Sequence, residues 1–239
     1  MTDFRARAYE VYLTSGAASA ADSAFDSRRP YLSMIVNRFF PVDKTERICD
    51  LGCGHGALMK VAKDAGYSRI EGVDASVEQV SAARKIGDGL EVICGDLLEY
   101  LEQQDSESVA MIITLDVIEH LDKSELLNMC GEIFRVLKKG GSWLSHQPNG
   151  NSPYHGRVRY GDYTHVQAYT PSSMGQLASL SGFSSNISFD DPPIVHGVKS
   201  GFRRAVWNIF KFTRQLELFA ETGAWEGVMT QNFFSVSVK

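Results

Sequence analysis

No stretch of this chain is apolar for long enough to cross a bilayer, and Met1-Thr2-Asp3-Phe4-Arg5-Ala6-Arg7 has no apolar core of the kind an export signal needs. The expected location is therefore cytoplasmic. Cysteine is scarce. The four present, Cys49, Cys53, Cys94 and Cys130, include no C-x-x-C pair, so they read as reduced packing residues rather than a disulfide frame. No group of His, Cys, Asp and Glu has the spacing of a metal site, and none is assigned. A dense basic patch is also missing. With a net charge of -5, nucleic acid is not the expected partner, because neutralising phosphates takes clustered Lys and Arg. There is no internal repeat or low-complexity tract. What remains is an ordinary globular composition, 44% hydrophobic and 22% charged over 239 residues, enough for one α/β domain with appendages.

Strand-like and helix-like segments alternate, the pattern of βαβ units and a parallel sheet. Strands are expected at Ile48 to Leu51, Ile70 to Val73, Leu90 to Cys94, Val109 to Leu115, Ser142 to Gln147, Asn186 to Phe189 and Phe233 to Val238. Val109 to Leu115 is continuously apolar, as a central strand covered on both faces should be. Helices are expected at Ala57 to Ala65, Val77 to Ile86, Lys123 to Leu137 and Pro171 to Ser181, with Lys138-Lys139-Gly140-Gly141 closing the third. The domain reading is a helical cap over residues 1–45 and a main domain over 46–239. Within the latter lie an aperiodic substrate loop, 148–170, and a helical insertion, 192–228. Inside that insertion, Phe202, Val206, Ile209, Phe210, Leu216 and Phe219 alternate with Arg and Lys over 201–222, an amphipathic helix or helix pair. It serves as a lid or, alternatively, as a peripheral membrane or dimer contact.

Chemistry concentrates at the strand ends. Gly52-Cys53-Gly54-His55-Gly56-Ala57 follows the first strand and satisfies G-x-G-x-x-G/A, a turn in which backbone can approach a nucleotide cofactor closely. That spacing suits a dinucleotide or another nucleotide-like ligand. Asp50 decides between them. A carboxylate just ahead of the glycines repels a pyrophosphate but suits an ammonium and a sulfonium, the charges of S-adenosylmethionine. Asp74, Asp96 and Asp116 stand at or just after the next three strand ends. In an open α/β sheet ligands bind there, so Asp74 is placed to accept ribose hydroxyls and Asp96 the adenine amino group, with Leu97 on the ring. Any one of these acids could be a helix cap or turn former. Four in succession point to a site.

Asp50-Leu51-Gly52-Cys53-Gly54-His55-Gly56, Asp74, Gly95-Asp96-Leu97, Asp116-Val117-Ile118-Glu119-His120-Leu121 and Leu137-Lys138-Lys139-Gly140-Gly141 together resemble the class I S-adenosylmethionine-dependent methyltransferases over about Arg47 to Phe189. The resemblance implies a Rossmann-like, seven-stranded, mostly parallel sheet with helices on both faces and an antiparallel last strand. It also implies that Asp50 and Gly52 hold the methionine part, Asp74 the ribose, and Asp96 with Leu97 the adenine, with Cys53, Gly54 and Ala75 also among the cofactor-binding residues. Asp116 and Val117 would line the sulfonium side, and His120 would shape the pocket. His55 departs from the small or threonine-like residue often found in the glycine turn.

The methyl acceptor needs alignment and, if it is a hydroxyl, a base. His165, oriented by Asp162, is the first candidate and His146 the second. Arg157, Arg159, Tyr160 and Tyr163 suit an anionic or polyhydroxylated substrate. Tyr160-Gly161-Asp162-Tyr163-Thr164-His165, Val195 to Ser200 and Thr230-Gln231-Asn232 resemble a bacterial subgroup associated with surface-polysaccharide and sugar modification. That resemblance implies an O-methyltransferase acting on a sugar or glycan hydroxyl. The alternatives are methylation of a quinone, polyketide or other aromatic metabolite, a catalytically inactive cofactor-binding partner protein, and a dehydrogenase.

Overall fold

The computed structural model describes residues 22–87, 89–225 and 227–239. In chain order it contains α1 (Asp22–Phe39), β1 (Ile48–Leu51), α2 (Ala57–Asp64), β2 (Ile70–Asp74), α3 (Val77–Ile86), β3 (Glu91–Cys94) and α4 (Leu97–Glu102). There follow β4 (Val109–Leu115), a 3-10 turn (Ile118–His120), α5 (Lys123–Val136), β5 (Leu137–Pro148), α6 (His155–Arg159), α7 (Pro171–Leu180), β6 (Ser185–Asp190), α8 (Val198–Thr222) and β7 (Asn232–Val238). The strands form one seven-stranded sheet in the order β3-β2-β1-β4-β5-β7-β6. β1 to β5 pair in parallel, and β7 runs antiparallel to both β5 and β6. This is the expected Rossmann-like sheet. Its order reverses between β1 and β4, which opens a crevice at their carboxyl ends.

Alternation along each strand sends neighbouring residues to opposite faces. Ile48, Met111, Ile113, Leu144 and Phe234 pack with Leu32, Ile35 and Val36 of α1 and with helices α2 and α3. Cys49, Ile112, Trp143 and Phe233 pack the other way, against Leu126, Met129 and Ile133 of α5 and Met174 of α7. The same parity carries Asp50 and His146 to the α1 side. Helix starts are set by side chains that accept otherwise unpaired N–H groups. Asp122 and Glu125 form a capping box on α5, and Thr170 and Ser173 form one on α7, where Pro171 follows the cap.

Several boundaries differ from the sequence reading. β5 starts at Leu137, so Lys138-Lys139-Gly140-Gly141 belongs to the strand rather than to the helix end. Gly140 has φ 74°, and the register against β4 shifts between Val109 and Met111, which lets the strand begin irregularly. α4 has six residues, too short to show a period. The loop after β5 contains the short helix α6. The amphipathic insertion is a single helix of 25 residues, α8, with Phe202, Ile209, Phe210, Phe212, Leu216 and Phe219 exposed. No helix among the described residues is long and apolar enough to cross a membrane. Part of the expected 1–45 cap lies outside the described residues; from Asp22 onward it is α1.

Phe234 is fully buried and Val42 almost fully exposed. Phe234→Ala should lower unfolding free energy by about 3–5 kcal/mol in denaturant titrations. Val42→Ala should change it by less than about 0.5 kcal/mol.

Candidate active site

After β1 the chain turns through Gly52, Gly54 and Gly56, all in the left-handed region at φ 74°, 55° and 76°. A Cβ on Gly52 would lie 2.4 Å from Cγ2 of Val117, so the turn approaches the segment after β4 more closely than any side chain permits. Asp74, at the end of β2, fixes this turn. Its Oδ2 accepts from the Gly54 N–H at 2.8 Å and its Oδ1 from the Ser76 N–H at 2.8 Å. Asp50 is buried beneath the turn. Burial, then the neighbouring Asp74, pushes its carboxyl up to about 7, and no cationic side chain among the described residues pairs with it. Cys53 is a buried thiol held neutral by burial, packed where a Cβ on Gly72 would meet its sulfur at 2.7 Å. It is a packing residue.

The next two acids are occupied by the protein itself. Asp96 Oδ1 accepts from the N–H groups of Leu98 and Glu99 and so caps α4, while Asp96 and Leu97 also line the cavity. Asp116 sits at φ 55°, strained for a residue with a side chain, and its N–H donates to the His146 carbonyl at 2.9 Å. Its Oδ1 accepts from His146 Nδ1 at 2.7 Å. On the other edge of that ring, Nε2 donates to Asp191 Oδ2 at 3.2 Å, beside the Tyr31 hydroxyl at 3.5 Å. Burial opposes a charge on His146, but Asp116 and Asp191 outweigh it and push the imidazole up to about 10. His146 is thus an imidazolium with both nitrogens committed, and it has no lone pair with which to act as the second-choice base. It holds Asp116 in place.

His165 reaches the site because its loop is bonded to the 3-10 turn. The N–H groups of Val166 and Gln167 donate to the Glu119 carbonyl at 2.7 and 3.2 Å, and both Arg159 terminal nitrogens donate to the carbonyls of His165 and Val166. His165 Nδ1 donates to the Val158 carbonyl at 3.0 Å. Asp162 works through Thr164: its Oδ1 accepts from the Thr164 N–H at 2.8 Å and from its hydroxyl at 2.6 Å. The Thr164 oxygen in turn meets His120 Nδ1 at 2.9 Å. The two imidazoles lie edge to face, 4.8 Å between centroids. Burial, then His165, lowers His120 to about 4, so it is neutral at pH 7. Burial, then Asp116, raises Glu119 well above the usual carboxylate range.

A cavity of about 820 Å³ joins these parts. That is a small-molecule site by size. Of the residues expected to act, Asp50, Gly52, Cys53, Gly54, Asp74, Ala75, Asp96, Leu97, Asp116, Val117, His120, Arg157, Asp162 and His165 line it. His146, Arg159, Tyr160 and Tyr163 do not. Arg159 staples its own loop instead, and Tyr160 and Tyr163 are largely exposed to solvent. The sequence reading missed Arg28 and Leu32, which α1 brings to the cavity wall, and Glu119, whose adjacency to His120 was its only signal.

Residues 48–141 match the family model described as a methyltransferase domain. The fold is the methyltransferase fold. A methyltransferase from Archaeoglobus fulgidus, described as S-adenosylmethionine-dependent, superposes at TM-score 0.67 with 20% identity, over 91% of this chain and 97% of that one. The Haemonchus contortus phosphoethanolamine N-methyltransferase 2, solved with S-adenosylmethionine, superposes at 0.60 with 18% identity, over 100% and 57%. By sequence, trans-aconitate 2-methyltransferase of Mycolicibacterium gilvum is 34% identical over 137 residues, 55% of this chain and 49% of that protein. The 24-methylenesterol C-methyltransferase 2 of Arabidopsis thaliana is 30% identical over 51% of this chain and 34% of that protein. The chain spans about half the length of the trans-aconitate relatives it matches.

The cofactor that goes with this fold and domain is S-adenosylmethionine. The cradle fits it: the glycine turn leaves room for close backbone contact, and the Asp50–Asp74 acid pair has no cationic partner among the described residues. Gln79 Oε1, also on the cavity wall, is buried with no hydrogen-bond partner among the described residues.

Two outcomes follow from these charges. With Asp50 half protonated at pH 7, an ammonium beside it should restore the carboxylate and release about half a proton. Calorimetry of S-adenosylmethionine binding in buffers of different ionisation enthalpy should show that release, and Asp50→Asn should lose it. His146 is raised in the folded state, so its contribution to stability is complete below pH 6.5 and disappears as pH rises through about 10. Melting temperature should fall over that range, and His146→Gln should flatten the profile.

Proposed function

We propose that this chain transfers the methyl group of S-adenosylmethionine to an oxygen of a small polar acceptor. The carrying observation is that one cavity is lined both by the glycine turn with Asp50 and by Glu119, His120, Asp162 and His165. Asp50 would meet the ammonium, Asp74 the ribose, Asp96 and Leu97 the adenine, and Asp116 with Val117 the sulfonium side. When bound, the cofactor supplies a methyl carbon already activated by positive sulfur. The protein then has to align an acceptor and handle its proton. His165 suits that task, because the Val158 carbonyl holds the proton on Nδ1 and leaves the Nε2 lone pair available.

The acceptor class is drawn from the same surface. Besides the glycine turn, the cavity is lined by carboxylates, imidazoles and Arg157, which favours a hydroxylated ligand over an aromatic metabolite. A sugar hydroxyl fits this chemistry, but only Arg157 of the four residues expected to hold a glycan faces the cavity. A second reading has its own support: Arg28 and Arg157 both line the wall, and a carboxylate acceptor would pair with them. The trans-aconitate methyltransferases among the relatives agree with that reading by name.

The test is methyl transfer from labelled S-adenosylmethionine to nucleotide sugars, glycans, hydroxy acids and di- and tricarboxylic acids. A hydroxyl acceptor predicts that His165→Ala lowers kcat/KM by about 10²–10⁴. A carboxylate acceptor, already ionised, predicts little loss with His165→Ala and a large rise in KM with Arg157→Ala. Cofactor binding without transfer to any acceptor would favour an inactive binding protein.

A further inference from the structure

Glu119, His120 and His165 meet although the sequence separates them and none has metal-like spacing. Each offers one ligand atom, and these atoms lie within 4.8 Å of one another. Ligands at about 2.0–2.2 Å from a zinc ion can stand at most about 4.4 Å apart, so small side-chain rotations would bring all three into range.

Three further observations point to a ligand. Glu119 Oε2 is buried with no hydrogen-bond partner among the described residues, a costly state for a carboxylate oxygen. Both imidazoles have their tautomers fixed from behind. The Thr164 hydroxyl gives its proton to Asp162, so its oxygen accepts from His120 Nδ1–H; Val158 accepts from His165 Nδ1–H. Each ring therefore carries its lone pair on Nε2, with its Nδ1–H bonded in the manner of a metal-bound histidine. Finally, all three residues line the cavity rather than a closed core, so a bound ion would keep open positions.

We propose that Glu119, His120 and His165 form a site for a divalent first-row transition cation in the cavity. Two imidazoles and one carboxylate favour zinc, manganese, cobalt or iron over magnesium or calcium, which prefer all-oxygen shells. Asp162 and Thr164 are positioning residues, acting on His120 and not on the ion. Cation binding itself does not depend on the methyl-transfer reading, but the use of the open positions for an acceptor oxygen does. In the loaded site the His165 lone pair holds the cation instead of taking a proton, and the cation supplies the acidity of a bound hydroxyl.

The experiment is a Co²⁺ titration of the tag-free full-length chain, stripped with chelator and dialysed, followed by visible absorption. One saturating Co²⁺ per chain, with bands distinct from aqueous cobalt, is expected. Glu119→Gln and His165→Ala should abolish those bands, and Thr164→Val should weaken binding about 10–100-fold through the tautomer of His120. Circular dichroism establishes folding of each variant. Should Glu119→Gln not fold, His165→Ala in the half-buried loop decides alone. Absence of the bands in the parent protein, or bands unchanged in His165→Ala, would overturn the site. Because the bands need no methyl transfer, they can appear even if no acceptor is ever methylated, and transfer insensitive to chelator would leave the methyltransferase reading standing alone.

Discussion

Acidic side chains gathered at the carboxyl edge of a parallel sheet, with Asp50 buried among them, are the constraint around which this chain is built. A carboxylate there must be neutralised, protonated or paired. Each acid meets that demand differently. Asp116 faces an imidazolium; Asp74 and Asp96 accept backbone N–H groups; Asp50 is left with only a proton. That difference separates structural acids from the one still short of a counter-charge. A positively charged ligand completes the set, which is why the glycine cradle beside Asp50 and the chemistry of a sulfonium cofactor belong together.

The pairing also explains why His146 is no base. In sequence it is an isolated histidine at a strand end, the place where a catalytic group would be sought. Only the fold brings Asp191, from the end of the far strand β6, to its second nitrogen. Asp190, one residue earlier, accepts from the Met229 and Thr230 N–H groups and from Lys211 of α8. Two consecutive acids therefore join α8, the approach to β7 and the Asp116 support.

The first half of the site was legible because its determinants are local. The glycines and Asp50 lie within a few residues, and their positions at strand ends follow from periodicity alone. The seven-strand count and the antiparallel β7 came with the family resemblance, whereas the strand order is read only from the fold. The acceptor half was only partly legible. His165 and Asp162 lie in an aperiodic loop, and what decides their roles is a pair of N–H groups on the Glu119 carbonyl, 47 and 48 residues distant in sequence. Arg159 looks like a substrate ligand in sequence and becomes a loop staple because two carbonyls fall within its reach. Arg28 left no trace, since a cavity-facing arginine on a helix outside the motif resembles any solvated one.

The stretch 48–141 that matches the domain model stops five residues into β5, whose full span is Leu137–Pro148. Trp143 and Leu144, which lie beyond that point, anchor the two faces of the core, and their cover comes from Phe233 and Phe234 at the far end of the chain. Excised at the matched boundary, the fragment would keep most of the cofactor cradle yet lose an edge strand, its cross-strand partners and the α1 wall. The matched stretch thus carries only part of the sheet. Recombination or truncation that respects the motif but ignores β5–β7 would leave β1 to β4 with an uncovered edge at β4.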